Sequence, residues 1–156
     1  YWDEMGCGHE SGMHGPMLDA LAKTLNIKPT IETTLTPSLA LGNTLAAFAT
    51  TRRYAYHSIG ALGAVELTAP WRAGLVDEGL RRLNVGKARR YFALHSTLDV
   101  KHSADWNRDV LTPLVEAQPD VARYIAEGAL MRLQCGADCF EAYRRHFWGG
   151  DGKAPA

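Results

Sequence analysis

Three residues in the second half of the chain, His95, Asp99 and His102, stand at helical offsets from one another. At about 100° of rotation per residue they fall within an arc of about 60°, so two imidazoles and a carboxylate share one helix face. That donor mixture suits a borderline divalent ion such as iron, manganese or zinc, whereas calcium takes oxygen ligands alone. A solvated polar face would carry the same residue types. The neighbours Tyr91, Phe92, Leu94 and Leu98 argue for the border of an apolar interior, where unpaired polar groups are costly.

Further candidates lie on other segments. Glu66 closes the small, apolar run Ile59-Gly60-Ala61-Leu62-Gly63-Ala64-Val65. A carboxylate there either emerges at a helix terminus or is neutralised inside, and metal coordination is one means of neutralisation. Glu4 and His14 form the remaining pair. On an unbroken helix they would lie about 80° apart, but the intervening glycines break it, so a reversing linker could bring both to one centre.

These residues need helices to position them, and helix signals dominate. No segment alternates apolar and polar residues over a strand length. Tyr1 to Met5 reads as a last helical turn closed by Gly6-Cys7-Gly8. Met17, Leu18, Leu21, Ala22 and Leu25 mark one face of a helix from about Met13, ending near Asn26 and Pro29. Thr36-Pro37 opens a longer helix, expected to run toward Leu67 and stop before Pro70. Another spans Pro70 to Leu83, with Asn84 to Gly86 as its stop. The His/Asp cluster rides on a helix from about Lys87, and Pro113 forces a boundary or kink. The last helix starts at Pro119-Asp120, with Val121, Tyr124, Ile125, Ala129, Leu130, Leu133 and Phe140 as its buried stripe, and ends at Gly149. The expected organisation is one domain over 1–148 and a flexible tail over 149–156.

Glu4 and His14 with nine residues between them, then Glu66, then His-x3-Asp-x2-His at 95, 99 and 102, resemble the ligand pattern of the haem-oxygenase-like di-iron oxidases and oxygenases, the iron-containing redox enzymes. Glu4-Met5-Gly6-Cys7-Gly8 with His14 resembles their Glu-x-Gly-x-Gly and His signature, and the likeness covers nearly the whole chain. The resemblance implies an all-α, haem-oxygenase-like bundle that binds no haem. It implies two ferrous ions held by Glu4, His14, Glu66, His95, Asp99 and His102, with dioxygen as co-substrate. It further implies oxidation of an amino acid, amine or fatty-acid-like metabolite, by N-oxygenation or oxidative carbon–carbon cleavage. The family pattern carries another Glu on an earlier helix. Together with an opening Tyr-Trp-Asp-Glu that lacks an initiator Met, this gives the expectation of an N-terminally incomplete domain without its first helix. A metal-free, thiaminase-like small-molecule module and an inactive remnant are the competing readings.

Composition restricts the partners. Lys and Arg number 17, as do Asp and Glu, so the balance offers no basic footprint for nucleic acid or an anionic membrane. The apolar stretches fall short of a spanning helix. Three cysteines form neither an even disulfide framework nor a paired zinc signature, which makes a reducing cytoplasm the default. The expected partner is a small-molecule substrate, with a homodimer left open. Lesser candidates are Arg52 as a substrate-carboxylate donor, Tyr54, Tyr56 and His57 as pocket lining, and His9 as a stray ligand. Cys135 and Cys139 read as small buried side chains, and His146 as a docking residue of the last helix.

Overall fold

The computed structural model describes residues 2–149, and Tyr1 and the remainder of the expected tail, 150–156, lie outside the described part. Among the described residues there are helices α1 (His14–Thr24), α2 (Thr36–Thr50), α3 (Ala55–Arg82), α4 (Arg90–Trp106), α5 (Thr112–Ala117) and α6 (Ala122–Trp148), and no strand. An antiparallel bridge joins Met5 and Met13. The chain divides into two compact units, one from Tyr1–Pro29 and Glu66–Ala104, the other from Thr30–Val65 and Asp105–Ala156.

In the first unit the helix stops are made by asparagine. Beyond α1, Asn26 takes φ +52°, its amide reaches the Lys23 carbonyl and Ile27 N–H reaches back to Ala22. Asn84 repeats this after α3, with φ +56° and bonds from Asn84 to Arg81 and from Val85 to Leu80. This double bond pattern satisfies carbonyls that a helix end leaves free, and asparagine tolerates the left-handed conformation better than most residues. A 3-10 turn over Gly86–Arg89 then leads into α4. Arg89 Nη1 donates to both carboxylate oxygens of Asp77, at 2.6 and 2.7 Å, which ties the start of α4 to the end of α3.

The N-terminal segment departs from expectation. Instead of a last helical turn, residues 2–4 form a turn and Gly6–Gly8 a 3-10 turn, with Gly6, Cys7 and Gly8 all at positive φ. Gly6 is required by packing as well as conformation. A Cβ on it would stand 2.5 Å from the Gly12 carbonyl carbon and the Met13 nitrogen. This close approach doubles the chain back on itself, and His14 N–H closes the reversal by donating to the Glu4 carbonyl at 3.1 Å.

Two helix boundaries also differ. The expected helix from Thr36 toward Leu67 breaks at Thr51, which is extended (φ −111°, ψ 105°). Two consecutive β-branched threonines meet there, restricted in side-chain freedom within a helix. Conversely, α3 runs through Pro70. Proline removes only its own amide, the one that would bond the Glu66 carbonyl four residues back, and the helix continues around that gap.

The second unit packs α2 against α6. Ser38 Oγ lies 3.2 Å from Cys139 Sγ and donates to Tyr143 Oη at 3.0 Å, while Thr44 Oγ1 lies 3.8 Å from Cys135 Sγ. Cys139 is buried as expected, Cys135 only partly, and both meet hydroxyl groups. The buried face of α6 is carried by Ile125, Gly128, Gly136 and Cys139, while Leu130, Leu133 and Phe140 are exposed. The cause is close backbone approach: a Cβ on Gly128 would fall on the His57 carbonyl, and one on Gly60 on the Ile125 carbonyl. Val121 and Ile125 of the expected stripe are buried, and small residues take the contact face expected for Leu130, Leu133 and Phe140. Trp106 fills the space beside Gly63 and donates Nε1–H to the Ile59 carbonyl at 3.2 Å.

Candidate metal centre

All six expected ligands lie in the first unit. Four local devices place them. Glu4 sits on the turn that Gly6 reverses, and His14 is the first residue of α1. Its face continues through Met17 and Leu21, both buried, so the apolar stripe that anchors α1 turns the imidazole inward. Glu66 lies within α3, not at an end, which removes terminal emergence as its explanation. His95, Asp99 and His102 share the inner face of α4.

The six sort into two groups. Glu4, His14 and His95 form one, and Glu66, Asp99 and His102 the other; within each, one potential ligand atom per residue lies within 4.8 Å of the rest. His14 is only 5% exposed and Asp99 4%. In the first group, His14 Nδ1 lies 2.7 Å from Glu4 Oε2, yet neither His14 nitrogen has a hydrogen-bond partner. The imidazole and the Glu4 carboxylate are thus close without meeting in hydrogen-bond geometry. The His14 and His95 rings meet edge to face at 4.5 Å. His95 Nδ1 lies 2.7 Å from the Tyr91 carbonyl, so Nδ1–H donates there and Nε2 keeps its lone pair free.

In the second group, His102 Nδ1 lies 3.3 Å from Asp99 Oδ1 and 3.6 Å from Glu66 Oε2. Its other nitrogen, Nε2, donates to Asp3 Oδ2 at 3.0 Å. Glu66 Oε2 is buried without a hydrogen-bond partner. Burial pushes the Glu66 carboxyl up, and the nearby Asp99 charge adds to this. Burial likewise raises Asp99, against the opposing pull of His95 and His102. For His102 burial favours the neutral ring, but the hydrogen bond to Asp3 and the charges of Glu66 and Asp99 outweigh it and raise the pKa.

Buried nitrogen and oxygen atoms without hydrogen-bond partners are costly. Here they occur in both groups, and each group gathers anionic carboxylate with imidazole. A divalent cation in each would satisfy these atoms and neutralise the carboxylates, so the residues present fit two metal ions. Iron is among the ions that this nitrogen and oxygen mixture suits.

A family model described as iron-containing redox enzyme matches residues 1–137. The chain belongs to the iron-containing redox enzymes. The all-α architecture agrees with the haem-oxygenase-like fold expected for the family. Neither the curated proteins nor the solved structures gave a match. Among the described residues no helix is long and apolar enough to cross a membrane.

Two residues of this iron-containing redox enzyme were missed by sequence reasoning as supports of the site. Asp3 reaches His102 across 99 positions, a separation that no local periodicity reports. Tyr91 was noticed only as an apolar flank, yet its carbonyl orients His95 and its ring stands 6.1 Å from that of His14. The i, i+4 relation of Tyr91 to His95 was the available signal. The lesser candidates go elsewhere. Arg52 lies on a separate 3-10 turn, so the continuous helix that would have aligned it with Glu66 does not exist. His57 belongs to the second unit, 5.4 to 6.0 Å from the rings of Phe48, Tyr54 and Tyr124, with Nε2 3.3 Å from Glu127. Tyr56 donates to Gln118 in the same unit. His9 and His146 are exposed.

Proposed function

We propose that this chain is a non-haem di-iron, dioxygen-dependent oxidoreductase that acts on a small metabolite. The observation that supports it is the sorting of six donors into two three-residue groups in one unit, each with a buried, hydrogen-bond-orphaned ligand atom. When bound, ferrous iron at such a centre supplies the electrons that reduce dioxygen. The chain's own work is to hold, orient and shield. Glu4, His14 and His95 would hold one ion, and Glu66, Asp99 and His102 the other. Protons that burial favours on Glu66 and Asp99 leave as a cation enters. The Tyr91 carbonyl keeps the proton of His95 on Nδ1.

The substrate class is an amino acid, amine or fatty-acid-like molecule, oxidised by N-oxygenation or carbon–carbon cleavage. A groove of about 690 Å³ in the first unit favours a carboxylate-bearing member of this class. Met17 and Ala93 lie in its wall, close in sequence to His14 and His95, and Lys87, Arg89 and Arg90 line it. Arg89 is already paired with Asp77, which leaves Lys87 and Arg90 as the better candidates for a carboxylate.

The test is anaerobic reconstitution with Fe(II), followed by metal analysis and exposure to oxygen. Two irons per chain and oxygen uptake are expected. Fewer than one iron per chain, with no oxygen-dependent optical change, would remove the proposal.

A further inference from the structure

The turn that carries Glu4 also carries Asp3, and the two adjacent carboxylates serve different groups. Glu4 joins His14 and His95, whereas Asp3 Oδ2 accepts the Nε2–H of His102 at 3.0 Å. Both oxygens of Asp3 are engaged, since Cys7 Sγ donates to Oδ1 at 3.5 Å. Its backbone is held too, by Gly6 N–H on the Asp3 carbonyl at 2.9 Å. Although its side chain is 46% exposed, Asp3 is therefore fixed from three directions.

We propose that Asp3 is a positioning residue for the second metal: by accepting the Nε2 proton of His102, it fixes the ring tautomer that leaves Nδ1 unprotonated beside Glu66 and Asp99. An imidazole ligand binds through the nitrogen that lacks the proton, and the partner of the other nitrogen decides which one that is. No other hydrogen-bond acceptor of His102 Nε2 is found among the described residues. The carboxylate also makes the ring more basic, and hence a stronger donor to a cation.

The inference rests on the di-metal reading, so two measurements separate their failures. The first is anaerobic titration of the full chain with Co(II), for wild type, Asp3→Ala, Asp3→Asn and His102→Ala. Wild type should take two ions. Asp3→Ala should weaken one of them about 10- to 100-fold, the usual cost of losing such an outer partner, and leave the other within about threefold. Asp3→Asn keeps an acceptor oxygen without the charge and should fall between. His102→Ala should weaken that same ion further. The second measurement is ¹⁵N spectroscopy of the metal-free imidazoles, at a pH where His102 is neutral. Wild type should show the Nε2–H tautomer at His102 and Asp3→Ala a mixture, with Asp3→Asn retaining the wild-type form. A wild type that binds two ions, beside an Asp3→Ala of unchanged affinity and tautomer, overturns the role of Asp3 and spares the di-metal reading. A wild type that binds fewer than two overturns that reading, while the tautomer still decides whether Asp3 orients His102. Circular dichroism on the near-isosteric Asp3→Asn guards against a folding defect.

Discussion

The two halves of the centre are built differently. Glu4, His14 and His95 offer two nitrogens and one carboxylate; Glu66, Asp99 and His102 offer two carboxylates and one nitrogen. The first group is nitrogen-rich and depends on a glycine turn, since two of its members lie within the first fourteen residues. The oxygen-rich second group takes all its members from the interiors of long helices. With neutral histidines the carboxylates bring one negative charge to the first group and two to the second. A dication is thus matched in charge by the second group and left with one net positive charge by the first. Harder oxygen donors favour the more highly charged ion. Charge is thus concentrated where the backbone is most regular, and the softer site is the one held by a turn.

Removal of a ligand should have the largest effect. His14→Ala should abolish one bound ion and leave the other, and Asp99→Ala should do the converse. Either should cost oxidation on the order of a hundredfold or more, because even outer partners of a ligand cost ten- to a hundredfold. Metal analysis beside single-turnover kinetics checks this; two ions retained in either variant would contradict the grouping. Next in size is Gly6→Ala. The added methyl meets backbone at 2.5 Å, at φ +65°, and the conformation alone costs about 1–2 kcal/mol. The nitrogen-rich group should loosen more than the other, seen as a lower melting temperature in the metal-free chain and weakened binding of one ion. Equal loss at both groups would show that the turn supports the oxygen-rich half as strongly, through Asp3.

Much of this was legible in the sequence because helical periodicity is local. His95, Asp99 and His102 announce a common face within eight residues, and the asparagine stops at 26 and 84 follow from their own chemistry. What was not legible depends on distant contacts. Nothing in the spacing says that Glu66 joins Asp99 and His102 while His95 joins Glu4 and His14, since that division depends on where α3 and the N-terminal turn meet α4. Asp3 lies 99 positions from its partner. The face of α6 differs for a related reason: apolar content points to Leu130, Leu133 and Phe140, but Gly128 on α6 and Gly60 on α3 each allow close backbone contact, which sets the inner face. Pro70 and Thr51 exchanged roles, because one missing amide is tolerated inside a long helix that packing sustains.

Acidity distinguishes the oxygen-rich group further. In the folded, metal-free chain Glu66 and Asp99 are raised above their ordinary values of 4.5 and 3.8, and His102 above 6.5. All three therefore bind protons more tightly folded than unfolded. Their contribution is fully present below those ordinary values and is lost as pH rises through the raised ones. Asp3 works oppositely, lowered below 3.8, so its contribution is present above that ordinary value and lost as pH falls through the lowered one. The metal-free chain should thus lose melting temperature as pH rises above the ordinary carboxylate values and through the raised ones of Glu66, Asp99 and His102. A bound dication should reverse the slope, since it replaces those protons. Melting curves in chelator that rise with pH would refute the reading of this group as proton-stabilised.

The smallest expected effect tests how each half orients its histidine. His102 is oriented by a side chain, Asp3, whereas His95 is oriented by a backbone carbonyl, that of Tyr91. Tyr91→Phe keeps that carbonyl and the ring lying 4.3 Å from His95, and it removes only a hydroxyl that burial, with Glu4 and Asp99 nearby, holds in its neutral form. Affinity for the first ion should therefore change less than about threefold, against the 10- to 100-fold expected when an orienting side chain is lost. If Tyr91→Phe instead weakened that ion as much as Asp3→Ala weakens the other, the phenol itself would be orienting the nitrogen-rich half. The contrast between a backbone-held and a side-chain-held histidine would then fail.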